Sequence, residues 1–142
     1  MSMDQTLDAL IETVDRLSDM LERENIALAR RDGAGVRALI EEKLTLTRAY
    51  ETAFAAMSDS KSDLGTADPT LVAEMKDAGF RLDRLMAENG RLLMVAVRTG
   101  QTFMNIVATA AQQHRPRTGA YGANGKVDAG AAGASLALNT AL

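Results

Sequence analysis

The chain has 142 residues, a net charge of −3, 46% apolar and 25% charged residues, and no cysteine. These values are typical of one soluble globular domain, and they exclude disulfides and thiolate metal sites. The acidic balance argues against general attraction to nucleic acid or anionic lipid. Because the N-terminal sequence is not that of a signal peptide and no apolar stretch reaches ~20 residues, we predict a cytoplasmic protein without membrane insertion.

Three long helices are predicted from apolar residues that recur in alternating steps of three and four. Their predicted ranges are about 3–31, 33–58 and 69–113. Each range starts at a capping signal: Ser2 with Gln5, Asp32, and Asp68 with Pro69. No alternating strand pattern occurs. The fold class is therefore predicted to be all-α, with three long antiparallel helices in a coiled-coil-like bundle.

The composition changes abruptly at His114-Arg-Pro-Arg117, after which the chain is rich in Gly and Ala and almost free of charge. Such a segment has too little bulky apolar surface to offset the entropy of ordering itself. We therefore predict a bundle over residues 1–114 and a flexible C-terminal tail over residues 115–142. A weak apolar patch in the tail, at residues 135–138 and Leu142, either becomes helical when a partner binds or has no role, and the sequence leaves both interpretations open.

Acidic residues at helical spacing form a stripe along the first predicted helix. They are Asp4, Asp8, Glu12, Asp15, Asp19 and Glu22. A solvated helix face is the favoured interpretation, and a docking surface for a basic partner is the alternative. A carboxylate-bridged metal pair would need Glu-x-x-His pairs, and the chain has a single histidine, at the end of the third helix. We therefore predict no metal site.

Polar residues interrupt the apolar seams at Asn25, Lys43 and Asn89. An Asn at a core heptad position fixes helix register, which is the favoured interpretation for Asn25 and Asn89. Lys43 can lay its methylene groups on the seam and keep its ammonium in water. The competing interpretation places these residues along a groove that stays partly open for a client.

Glycines lie on or beside the seam of the third helix, at Gly79, Gly90 and Gly100. Each costs on the order of 1 kcal/mol relative to Ala inside a helix. One explanation is the close approach of a neighbouring backbone. The other is that the glycines make the helix flexible, so that it can rearrange around a partner. The sequence does not choose between them.

No catalytic constellation is visible. The tail pattern Gly119-x-x-Gly122-x-x-Gly125 follows no strand and opens no helix, so it is not a nucleotide loop. No nucleophile stands beside the histidine, and no residues cluster with metal-ligand spacing. We predict a protein that is not an enzyme and that takes no cofactor and no small-molecule substrate.

Three blocks of the sequence resemble the FlgN-type flagellar export chaperones. The first is Leu21-Glu-Arg-Glu-Asn25 continued through Ala27-Leu28 and Asp32 to Leu39 and Lys43, similar to the family's leucine, acidic and lysine pattern. The second is Asn89-Gly-Arg-Leu-Leu93, and the third is Thr118-Gly-Ala-Tyr-Gly-Ala-Asn-Gly125, similar to the family's tyrosine-glycine block. Each block is short, and their order along most of the chain is the specific feature.

The resemblance implies a cytoplasmic chaperone of flagellar type III secretion. Its clients would be the hook-associated proteins FlgK and FlgL at the hook-filament junction, and its second partner the flagellar export gate. The client-binding region would be the end of the third helix plus the tail. The corresponding residues are Val97, Phe103, Met104, Val107, Leu136 and Leu138, with Tyr121 at the export gate.

Two alternatives remain open. One is a structural coiled-coil protein that associates with itself and has no client. The other is a chaperone of a different secretion substrate, such as flagellin or the filament cap.

Overall fold

The computed structural model describes residues 2–113, which are helical apart from short connections. The helices are α1 (Met3–Ala29), α2 (Gly33–Ala38), α3 (Ile40–Asp59) and α4 (Pro69–Gln113), with a 3₁₀ segment at Lys61–Thr66. The described part contains no strand. The all-α bundle predicted from the sequence is confirmed.

α1 is the central helix and packs along both α3 and α4. The chain reverses direction before α3 and again before α4, so consecutive long helices are antiparallel and α1 and α4 run parallel. Two contacts at different heights show this direction. The Asp68 N–H donates to the Asp4 carboxylate (2.9 Å), and the Asn25 amide donates to the Leu85 carbonyl (3.2 Å).

The predicted helix starts are confirmed, with the predicted chemistry. At the first, Ser2 and Gln5 exchange two hydrogen bonds, from the Ser2 N–H to the Gln5 side chain (2.9 Å) and from the Gln5 N–H to Ser2 Oγ (3.2 Å). At α2, the Asp32 carboxylate accepts from the Gly35 N–H at 2.9 Å. These side chains satisfy N–H groups that a helix leaves unpaired in its first turn.

The prediction of one continuous second helix is wrong. A turn at Leu39 separates α2 from α3, because the Leu39 N–H bonds to the Val36 carbonyl only three residues back (3.1 Å). The short α2 packs against the end of α1, where Val36 joins Ala27 and Leu28 in one cluster. α1 itself ends at Ala29, before Arg31 adopts a left-handed backbone with φ of 56°.

Most of the core belongs to α1, which is buried on two sides. The main cluster joins residues of α1, α3 and α4: Leu10, Val14, Leu17, Met20, Leu21, Leu46, Ala78 and Leu82. A second cluster lies at the end of the bundle where α1 ends and α2 begins. There Ala27, Leu28 and Val36 pack against Leu92, Leu93 and Ala96 of α4. Burial of these side chains contributes roughly 25 cal/mol per Å² of apolar surface and is the main force that holds the helices together.

α3 and α4 hardly approach each other along their lengths, in contrast to their contacts with α1. A Cβ added at Gly79 or at Gly90 would meet no atom within 4 Å. Close approach of a neighbouring backbone therefore does not explain these two glycines. Gly100, by contrast, is buried. The bundle is thus open on the side between α3 and α4.

Candidate functional site

Two features of the structure are candidates for function, and the first is a polar layer that joins all three long helices. It consists of Glu24 and Asn25 of α1, Lys43 of α3 and Asn89 of α4. The Asn89 amide donates to the Glu24 carboxylate (3.0 Å) and to Asn25 Oδ1 (2.9 Å). Lys43 Nζ donates to the same Glu24 oxygen (3.0 Å) and to Asn89 Oδ1 (3.3 Å). One level of the bundle is therefore held by hydrogen bonds instead of apolar packing.

The burial of the polar layer makes its pairing essential. The Glu24 side chain is only 4% exposed, whereas the Lys43 side chain keeps 34% of its surface in contact with solvent. A carboxylate withdrawn from water this far needs a cation and further donors, and Lys43 and Asn89 provide them. Since each bond forms at only one relative height of the helices, the layer specifies their register.

The structure revises the sequence interpretation of these residues. Asn25 and Asn89 are buried and bonded to each other, in agreement with a register-fixing role. Lys43 keeps part of its side chain in contact with solvent, and its ammonium also bonds to Glu24 and Asn89, two partners that the sequence did not predict. Glu24 was not singled out in the sequence. Its signal was its position beside Asn25 and outside the regular carboxylate stripe of α1.

The carboxylate stripe itself is mostly a solvated face, as favoured from the sequence. Its residues are exposed except for Asp4, which is half-buried. Arg81 of α4 donates to Asp19 (2.8 Å) and to Glu22 (3.0 Å), so part of the stripe is already paired within the chain. An equivalent exposed ion pair, Arg23 with Glu42, joins α1 to α3, and the guanidinium lowers the pKa of the Glu42 carboxyl from its ordinary value.

The second candidate is the C-terminal end of α4, which continues beyond the residues that cover it. The last buried residue of α4 is Gly100, and none of residues 101–113 is buried. We call residues 101–113 the overhang; it extends about 20 Å at 1.5 Å per residue. Its apolar side chains stand in the same three-four spacing as the α4 residues that face α1. The overhang therefore carries a core-type seam that no helix within residues 2–113 covers.

Of the residues predicted to bind a client, four lie on α4 within the described part of the chain and three lie in the tail outside it. Phe103 is 51% exposed, and Val97, Met104 and Val107 are half-buried. Ile106, 62% exposed, belongs to the same end of α4 and was not predicted, because it lies in the row beside the seam. The predicted tail residues Tyr121, Leu136 and Leu138 lie outside the described residues.

Within residues 2–113, no group of three His, Cys, Asp or Glu side chains could hold a metal ion. In the same part of the chain, every helix is too short or too polar to cross a lipid bilayer.

Within residues 2–113, the fold and these features define an open three-helix bundle with a buried polar layer and a helical end that the rest of the bundle does not cover. Compared with family models, with curated proteins and with solved structures, the chain shows no match to any of them.

Proposed function

We propose that this chain is a cytoplasmic export chaperone of flagellar type III secretion that binds hook-associated proteins. In this role it prevents their premature aggregation and delivers them to the export gate. The observation that carries the proposal is the overhang, because a core-type apolar seam that the described part of the chain leaves uncovered suits the capture of an amphipathic helix. The polar layer supports it, since Glu24, Asn25, Lys43 and Asn89 all belong to the blocks that resemble FlgN-type chaperones.

Binding by this surface requires no chemical step. A client helix laid along Phe103, Met104 and Val107 replaces the missing helical neighbour and removes apolar surface from water. The same contact covers the aggregation-prone apolar segment of the client and thereby prevents its aggregation. By the resemblance, Tyr121 then contacts the export gate while the client remains bound.

The matched pair Phe103→Asp and Phe80→Asp tests the client surface. Both phenylalanines are on α4 and exposed, 51% at Phe103 and 66% at Phe80, and Phe80 lies far from the overhang. We expect Phe103→Asp to weaken binding of FlgK-like and FlgL-like terminal segments at least tenfold in calorimetric titration, and Phe80→Asp to leave it unchanged. Equal effects of the two substitutions would contradict the proposal.

A deletion of residues 116–142 tests the role of the tail. We expect the far-UV helical signal to persist while client binding weakens. Loss of helicity on deletion would instead assign the tail to the core. Pull-down with the full chain distinguishes the clients, because recovery of flagellin in place of hook-associated proteins would favour the alternative chaperone assignment.

A further inference from the structure

The polar layer divides the apolar core of the bundle into two parts. On α1 it lies between Leu21 of the main cluster and Ala27 of the second, and on α4 Asn89 lies between Leu85 and Leu92. In the described part of the chain, no side chain belongs to both clusters. Apolar packing is therefore interrupted at this level, where the helix backbones and the hydrogen bonds of the layer provide the connection.

The second cluster is much smaller than the main cluster. Its buried residues are Ala27, Leu28 and Val36, whereas the main cluster has eight buried residues drawn from all three long helices. Hydrophobic stabilisation grows with the apolar surface removed from water. The end of the bundle beyond the polar layer is therefore held less strongly than the rest.

The segment that closes the second cluster has little stability of its own. We call it the cover: residues 30–38, which comprise the turn after α1 and the short helix α2. Isolated helices shorter than ~12–15 residues are marginal in water, and Gly33 and Gly35 lower the helix propensity of α2 further. The left-handed backbone of Arg31 adds strain, because it brings the Cβ close to the following carbonyl. Tertiary packing must therefore hold the cover in place.

Val36 is the large side chain through which the cover packs. The structure describes α2 in full, and the buried residues of that helix are Gly33 and Val36. Val36 is 5% exposed and shares the second cluster with Leu28 of α1, and Leu92 and Leu93 of α4 pack against the same cluster. Departure of the cover would take Val36 away from these leucines and admit water to them.

From this arrangement we propose that the cover opens separately from the rest of the bundle, while α1, α3 and α4 stay packed through the main cluster. The opening exposes Leu28 and the apolar residues of α4 that belong to the second cluster. The polar layer limits the opening, because the hydrogen bonds of Glu24 with Lys43 and Asn89 keep α3 and α4 attached to α1 at that level.

The cover lies next to the overhang, along the same apolar seam of α4. Leu93 and Ala96 of the second cluster precede Phe103 and Val107 of the overhang at three-four spacing on the side of α4 that faces α1. With the cover open, the uncovered seam begins at Leu93, about 12 Å before the overhang at 1.5 Å per residue. A longer seam for a client is a consequence that rests on the proposed function, whereas the opening itself does not.

Leu28→Cys and Leu21→Cys form a matched pair that tests the opening, because the chain has no cysteine of its own. Both leucines are buried residues of α1, 8% and 4% exposed, and they lie on opposite sides of the polar layer. We expect dithiobis-nitrobenzoate to modify Leu28→Cys roughly 100-fold faster than Leu21→Cys, since the first needs only the cover to open and the second needs global unfolding. Low concentrations of urea should accelerate only the modification of Leu21→Cys, because opening of the cover exposes little surface.

Two further substitutions show which contacts control each rate. Val36→Ala should accelerate modification of Leu28→Cys roughly tenfold, because it weakens the packing of the cover. Leu46→Ala, in the main cluster, should accelerate modification of Leu21→Cys by a similar factor and leave Leu28→Cys unchanged, because main-cluster packing persists when the cover opens.

Hydrogen exchange of the unsubstituted full chain gives an independent readout. The Val36 N–H donates to the Asp32 carbonyl (3.0 Å) inside the cover. We expect it to exchange roughly 100-fold faster than the Leu46 and Leu82 amides, without acceleration by low urea.

Three results would each overturn the proposal. They are equal modification rates at positions 28 and 21, equal acceleration of both by Leu46→Ala, and exchange of the Val36 amide as slow as that of Leu46. All these measurements use the free chain. Client titration with the Phe103→Asp and Phe80→Asp pair is unaffected by them, so the two proposals fail separately.

Discussion

Replacing Lys43 by Met would remove the one cation of the polar layer and leave the Glu24 carboxylate buried. That side chain is 4% exposed and has two donors, Lys43 Nζ and the Asn89 amide, both at 3.0 Å. After the substitution a single neutral donor remains. Breaking a buried pair by removing one partner costs about 3–5 kcal/mol. Since small domains are stable by about 5–15 kcal/mol, the variant should lose a substantial fraction of its stability.

Urea unfolding followed by far-UV circular dichroism measures this loss. The control is Lys76→Met, an exposed lysine of α4 outside the polar layer, which should change stability by less than about 0.5 kcal/mol. The double variant Glu24→Gln with Lys43→Met removes both charges and keeps an oxygen that can accept from Asn89. It should therefore recover at least half of the loss.

Two results would refute this reasoning. One is a Lys43→Met variant as stable as Lys76→Met, which would mean that Glu24 is solvated or re-paired in solution. The other is a double variant as unstable as the sum of its single changes, since independent effects would show that the two side chains do not interact.

Three further substitutions test local features by urea unfolding. Ser18 is fully buried, and its hydroxyl has no hydrogen-bond partner. Ser18→Ala should therefore stabilise the bundle by about 1 kcal/mol. A loss of stability would mean that the hydroxyl is hydrogen-bonded. Gly79→Ala should stabilise α4 by about 1 kcal/mol because the added Cβ meets open space, and a loss would reveal a contact there. Arg31→Gly should stabilise the α1–α2 turn by up to about 1 kcal/mol, because φ of 56° strains a residue with a Cβ; no gain would mean that the turn relaxes.

The sequence by itself determined the helices and most of their ends. Apolar spacing specifies which face of each helix avoids water, and the side chains of Ser2 and Asp32 supply local hydrogen bonds that do not depend on the rest of the fold. These interactions act within a few residues of each other. They can therefore be identified without knowledge of the tertiary arrangement.

The break at Leu39 was not predictable in the same way. Apolar spacing continues from Val36 through Ile40, and a helix can end wherever tertiary packing favours a turn. The partners of Glu24 were also decided by the tertiary structure, because Lys43 and Asn89 come from two other helices. An acidic residue in a helix has no local signature that distinguishes burial from exposure.

The overhang distinguishes most clearly what the sequence determines from what the tertiary structure decides. The apolar seam of α4 has the same spacing before and after Gly100, yet in the described part of the chain the residues before it pack against α1 and α2, and none of those after it is buried. The sequence determines that this face is apolar, because side-chain chemistry and helical period are local properties. Only the tertiary structure, through the end of α1 at Ala29, decides where the face is left uncovered and thus where a partner can bind.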